Sequence, residues 1–267
     1  MSAALTVWVK GVGLWAPGVV NWTSFLAVVN DGAAPETATT RPTADVLPPN
    51  ERRRAPESVL LAAAAAGQAV QMSGYDAASL PCVFASAHGD QAITDYMCTT
   101  LASAPTELSP TKFHNSVHNA PAGYWTIATH CHASSSAITG GEATFGAGLL
   151  EAATLAVADD RNVLLASYDI AGTGPLGEMT SSTGPFACAL VLSPHEDRSA
   201  MRLDLLPTVG NSAHEPSGDP WMDAVAASNP SALALPLLRA LAHGRPTALR
   251  VAAAQGLDLH IDLEISA

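Results

Sequence analysis

The chain has 267 residues, 48% of them hydrophobic and 13% charged, with a formal net charge of −12 at pH 7. That balance supports a sizeable core and excludes a disordered chain. It also argues against nucleic acid or an anionic membrane as partner, since both recruit clustered Lys and Arg.

The same acidity makes the chain a poor dock for an acidic carrier protein. The one basic run, Arg52-Arg53-Arg54, reads as a solvated or intersubunit face. Four cysteines, Cys82, Cys98, Cys131 and Cys188, occur without paired spacing, and Cys82 and Cys188 lie in apolar runs where cysteine acts as a small hydrophobe. No charged leader precedes the first apolar stretch and no run reaches the length of a membrane span. A reduced, cytoplasmic protein is expected.

Along the chain, "LTVWVKGVG" (5–13) alternates and closes on glycines, as a first strand does. Residues 31–55 are rich in Pro and Thr and read as a loop. "APESVLLAAAAAGQAVQMSG" then reads as a helix, with Pro56 in its first turn and Gly74 past its end. Strand 80–89 follows. "DQAITDYMCTTLAS" places Ile93, Tyr96, Met97 and Leu101 at helical spacing behind an Asp90 cap. Residues 119–130 read as a helix opened by Asn119 and Pro121.

"SSAIT" reads as a short strand, and 143–158 as a helix apolar or small on all sides, which must be buried. Runs 162–170 and 185–193 add two strands. The alternation of strand and helix to about residue 170 implies a mostly parallel, helix-covered sheet. Residues 194–228 read as loop-rich. A helix at 230–243 runs from Pro230 to Gly244, and two alternating strands around Gln255-Gly256 form a hairpin. One domain over 1–267 is expected.

Four stretches carry a family resemblance. "VKGVGLWAPGVVNWTSFLAVV" resembles the opening strand and turn of β-ketoacyl synthases. "NAPAG" (119–123) resembles the Asn-Ala-x-Ala-Gly segment before their nucleophile strand. "NVLLASYD" and "GPFACALVLS" resemble the strands completing the first thiolase half. The resemblance covers roughly 5–193 and implies an α/β, thiolase-like fold: a ketosynthase N-terminal half (1–193) with a reduced C-terminal part (194–267) of one helix plus a β-hairpin.

In that alignment Glu142 occupies the nucleophile position, because 142 − 119 = 23 residues separate it from Asn119, as in the family. Cys131, in "THCHASSS", lies only 131 − 119 = 12 residues past Asn119, which reads as a thiol at a helix end. Condensation needs an acyl group held on a soft nucleophile, and thiolate both attacks and leaves a thioester. A carboxylate would give a hydrolysable mixed anhydride. The His-Gly-Thr-Gly-Thr run of the second thiolase half is missing too. His195, His214, His243 and His260 sit in contexts that do not match it.

Glu142 therefore either caps its helix, filling the pocket that would hold an acyl-cysteine, or is a partly exposed helix-start residue. His114 and His118, with His130 and His132 around Cys131, suggest a zinc site, but the spacing does not supply four ligands. No metal and no cofactor are expected, and "KFHNSVHNAPAG" reads as a subunit-facing loop.

The resemblance implies a cysteine-less chain-length factor, of the short type accompanying aryl-polyene and related ketosynthases. It would form a heterodimer with an active β-ketoacyl synthase that supplies the cysteine, the histidines and carrier-protein docking, for a polyketide, polyene or fatty acyl product. Interface or tunnel candidates are His114, His118, Asn119, Tyr96 and Phe145; no residue is expected to be catalytic. The apolar segment 134–158 is expected to need a partner's cover. Two alternatives are an acyltransferase or decarboxylase using Glu142 or Cys131, and a purely stabilising scaffold.

Overall fold

A computed structural model of the protein describes residues 4–36, 41–180, 182–212 and 215–265. His214 lies outside them.

An eight-stranded mixed sheet organises the fold. In chain order its strands are β1 (Leu5–Trp15), β2 (Cys82–Ala85), β3 (Ser135–Ile138), β4 (Val163–Asp169), β5 (Phe186–Ser193), β6 (Met201–Val209), β7 (Thr247–Ala254) and β8 (Leu257–Ile265). Their order across the sheet is β3-β2-β4-β5-β1-β6-β8-β7.

Only β2 pairs in parallel, with β3 and β4; every other neighbouring pair is antiparallel. This corrects the expected mostly parallel sheet. β4 and β5 are buried at every residue, so they carry the continuous apolar runs of parallel strands while pairing antiparallel.

Helices cover both faces. On one lies α3 (Glu57–Ser73), packed on β1, β5 and β4. Its alanines 62, 65, 66 and 69 join Phe84, Leu164, Ala187, Ala189 and Val191 in one apolar cluster. The contact is close: a Cβ on Gly11 or Gly13 of β1 would lie 2.0 Å from a carbonyl oxygen of α3, at Ala69 or Ala65. The alanine run and the strand glycines thus have one cause, a helix seated almost directly on backbone.

The other face is covered by α1 (Trp22–Asp31), α7 (Thr144–Asp159), α9 (Pro220–Ser228) and α10 (Leu235–His243). Here the alternate residues of β5, Phe186, Cys188, Leu190 and Leu192, meet Phe145 and Leu149 of α7 and Leu237 and Leu238 of α10. α7 also packs against β7, and a Cβ on Gly146 would lie 2.1 Å from the Ala252 carbonyl oxygen. The apolar helix is therefore covered from within the chain, not left for a partner as its sequence suggests.

The remaining helices are α2 (Pro49–Arg54), α4 (Gln91–Ser103), α5 (Pro110–Asn115), α6 (Ala120–Ala128) and α8 (Gly174–Met179). α2 and α5 lie in stretches read as loops. Asp90 caps α4 as expected, its side chain accepting from the Ile93 N–H. Gly74 and Gly244 close α3 and α10 in the left-handed conformation.

Residues 194–228 hold more order than the sequence suggests, namely β6 and α9. The C-terminal part thus adds a strand and a helix to the expected helix and hairpin. Pro207 obscures β6, but it lies past Leu205, where pairing with β1 ends and only β8 continues alongside. No helix among the described residues is long and apolar enough to cross a membrane.

Candidate functional site

The parallel strands β3, β2 and β4 end together, and the chain's polar groups gather at those ends, where α/β sheets place their sites. β3 leads into the glycine turn. Thr139 Oγ1 donates to the Ala87 carbonyl at 3.1 Å, tying the turn to the end of β2. The Gly140 N–H donates to Thr144 Oγ1 at 2.9 Å, and that hydroxyl donates to the Gly141 carbonyl at 2.6 Å. Gly141 takes φ 58°, which a side chain rarely allows.

Glu142 stands in the 3₁₀ turn Gly141–Ala143 and is exposed. The residue capping α7 is Ala143, which offers no side-chain cap. The carboxyl group is thus presented outward at the turn and is not sealed into a pocket.

Behind the turn lies a carboxylate that sequence reasoning missed. Asp169, at the end of β4, is 1% exposed. Its oxygens accept from Ser86 Oγ at 2.7 Å, the Ala87 N–H at 3.2 Å, the His88 N–H at 3.1 Å and Ser231 Oγ at 2.7 Å. Burial pushes its carboxyl above the ordinary carboxylate value, against the pull of these donors. Ser167 Oγ donates to Ser231 Oγ at 2.9 Å, and Asn229 Nδ2 donates to the carbonyls of Asp169 and Gly184 at 2.8 and 2.7 Å.

One carboxylate thereby joins the β2–α4 turn, β4 and the 3₁₀ segment Pro230–Ala234 of the C-terminal part. Every acceptor position of Asp169 faces a donor, so the group is built to hold the strand ends together. The only hint in sequence was a charged residue ending the apolar run "NVLLASYD".

The expected site residues do not form one constellation. His114 (exposed, on α5) and Asn119 (exposed, before α6) line a cleft of about 940 Å³ with Leu47, Arg54, Tyr124 and Ile127. His118 turns inward, its Nε2 lying 3.0 Å from the Ser86 carbonyl oxygen. Tyr96 sits apart: its hydroxyl accepts from the Ser109 N–H at 3.0 Å, and Lys112 Nζ lies 3.6 Å above its ring. Phe145 is 1% exposed within the core beneath α7.

All four cysteines are free thiols, and only Cys98 is exposed. Cys131 is buried after α6 and its Sγ donates to the Leu80 carbonyl at 3.3 Å, which fits the helix-end reading. Burial pushes the Cys82 thiol up to about 11 and the Cys188 thiol higher still, so neither is a ready thiolate. Among the described residues no group of three or more His, Cys, Asp or Glu is placed to hold a metal ion.

Solved structures share this architecture. A ketosynthase (ApeO) in complex with its chain length factor (ApeC) from Xenorhabdus doucetiae matches at 22% identity and TM-score 0.72, over 96% of this chain and 99% of that one. The AntDE:AntF complex, a type II PKS acyl-carrier protein with its ketosynthase, matches at 13% identity and TM-score 0.71, covering 99% and 100% of the two chains. The ishigamide ketosynthase/chain length factor matches at 14% and 0.66, over 98% and 100%. At these identities the likeness is one of fold. No curated protein matches the sequence. The profile of the beta-ketoacyl synthase N-terminal domain aligns with residues 26–254, a span holding both the glycine turn and the buried Asp169 clamp. The chain belongs to the family of beta-ketoacyl synthase N-terminal domains, with a thiolase-like fold.

Proposed function

We propose that the chain is a non-condensing subunit of chain-length-factor type, which pairs with an active β-ketoacyl synthase and shapes the space for its growing product. The observation that carries this reading is Glu142 at the strand–turn–helix position, with no thiol of the chain in that turn. A carboxylate there does not hold an acyl group as a thioester. The near-complete mutual coverage with chains from ketosynthase–chain length factor complexes supports the partner class, and the sequence resemblance assigns the chain to the short aryl-polyene-type systems.

The carrier protein would then be met through the partner, and the assembly would work in the cytoplasm. One domain spanning 1–193 and 194–267 fits the sheet, which β6, β7 and β8 continue without a break.

The interface fits the edge strand β3, where Ser135 is exposed and, among the described residues, no strand pairs on the outer side. α6 packs on β3 and leaves Ile127 76% exposed beside it. The test is condensation assayed with the chain alone, with a co-purified ketosynthase, and with that complex carrying Glu142→Ala. The reading expects no turnover from the chain alone and activity within about an order of magnitude for the variant complex, a change of roughly 1.4 kcal/mol at most in barrier. Complete loss with assembly intact would make Glu142 a participant in the chemistry.

A further inference from the structure

The cleft lined by His114 and Asn119 lies beside the one run of consecutive positive charges in an acidic chain. Of the 12 Lys and Arg in a chain of net charge −12, four are Arg52, Arg53, Arg54 and Lys112, on α2 and α5. α2 forms one wall, with Arg54 facing the cleft; His114 and His130 line it as well, and Glu51 is the one carboxylate among its lining residues. Arg52 pairs with Asp45 and Arg53 with Asn50, while Arg54 has no ion-pair partner among the described residues.

The walls are apolar: Leu47, Val117, Tyr124, Ile127 and Ala128. Val117 is 53% exposed, and Phe113, on the adjoining helix, 59%. Large apolar side chains held in water beside unpaired positive charge mark a surface for a protein segment of opposite charge. Because α6 carries Ile127 and also packs on β3, the cleft continues the surface expected to meet the ketosynthase.

We infer that this cleft receives an acidic amphipathic segment of the ketosynthase subunit, a carboxylate against Arg54 with the rest of the α2 arginine run beside it, and its apolar side chains against Val117 and Ile127. The inference rests on the heterodimer reading and names the chemistry by which the partner is chosen. On a chain of net charge −12, a local excess of positive charge gives a carboxylate-bearing segment a place to dock and sets its orientation.

The experiment uses the complex of this chain with the ketosynthase that co-purifies with it. The triple variant Arg52→Glu/Arg53→Glu/Arg54→Glu lies on α2, which buries no residue, and circular dichroism checks that it folds. The expected result is a Kd at least tenfold weaker at about 50 mM salt, the difference shrinking towards none at about 500 mM as the charges are screened. Carbodiimide treatment of the Arg54→Lys complex should join that lysine to an Asp- or Glu-rich segment of the ketosynthase.

An unchanged Kd and salt dependence, or cross-links that never involve position 54, would overturn the inference and leave the heterodimer standing. Self-association of the chain abolished by the triple variant would assign the cleft to a second copy and overturn it too. If the wild-type chain forms no complex with the ketosynthase, the heterodimer reading falls and takes the inference with it.

Discussion

Asp169 and Ser231 are 62 residues apart in sequence and joined by a 2.7 Å hydrogen bond, the hydroxyl donating to Oδ2. The bond fastens the end of β4 to the C-terminal part. Removing one partner strands buried polar groups, at about 1–3 kcal/mol for each group left unsatisfied. Ser231→Ala is predicted to lower unfolding stability by about 1–3 kcal/mol and Asp169→Ala by more, since four donors then lose their acceptor. Urea denaturation of both singles and the double variant checks this. Coupling of at least about 0.5 kcal/mol is expected, and additive losses would contradict a shared network.

Two glycines make a contrasting pair. Gly146→Ala pushes a methyl group into the Ala252 carbonyl, 2.1 Å away, whereas Gly67→Ala in α3 meets nothing within 4 Å. The first is predicted to cost about 1–3 kcal/mol by overpacking. The second should stabilise by about 0.5–1 kcal/mol through helix propensity. Thermal unfolding of the two variants under one buffer decides, and a neutral Gly146→Ala would mean that α7 and β7 are not in close contact.

Glu57, the first residue of α3, has its carboxyl pushed above the ordinary value of 4.5, first by desolvation and then by the Asp90 charge, with Arg41 opposing. A folded value above the unfolded one means that this group's contribution to stability is present below 4.5 and lost as pH rises through the folded value. Asp90→Asn keeps a residue able to cap α4, where the side chain accepts from the Ile93 N–H at 2.9 Å. The variant is predicted to lower the Glu57 titration midpoint, read by NMR, and to flatten the fall in stability with rising pH. An unmoved midpoint would remove Asp90 as a cause.

Thiol exposure gives a further check. Cys98 is exposed and Cys82, Cys131 and Cys188 are buried. A disulfide-exchange reagent is predicted to modify one thiol rapidly in the native chain and all four only on unfolding. Cys98→Ala should abolish the rapid phase. Persistence of that phase would point to an accessible Cys131.

Much of the architecture could be read from local pattern. The alanine run of α3 between Pro56 and Gly74, the Asp90 cap and the Gln255-Gly256 hairpin each carry their signal within a few residues. Strand direction does not: β5 is apolar at every residue because both faces are covered, and that run looks alike in either sense. β6 was hidden by Pro207, tolerable only because β1 has ended there, a fact of register and not of sequence. The Asp169 clamp was hidden by distance, since its partners lie in the 86–88 turn and at residue 231. Phe145 reads from sequence as a tunnel-wall candidate, and its packing in one cluster with Leu149 and the β5 residues depends on long-range contacts that no local pattern reveals.

The central claim is that another subunit carries the acyl group. Intact-mass spectrometry of the ketosynthase complex, quenched during turnover with acyl- and malonyl-carrier substrates, tests it directly. The account predicts an acyl adduct on the ketosynthase cysteine and an unmodified mass for this chain. An acyl adduct on this chain, at Cys131 or any other of its thiols, would contradict it.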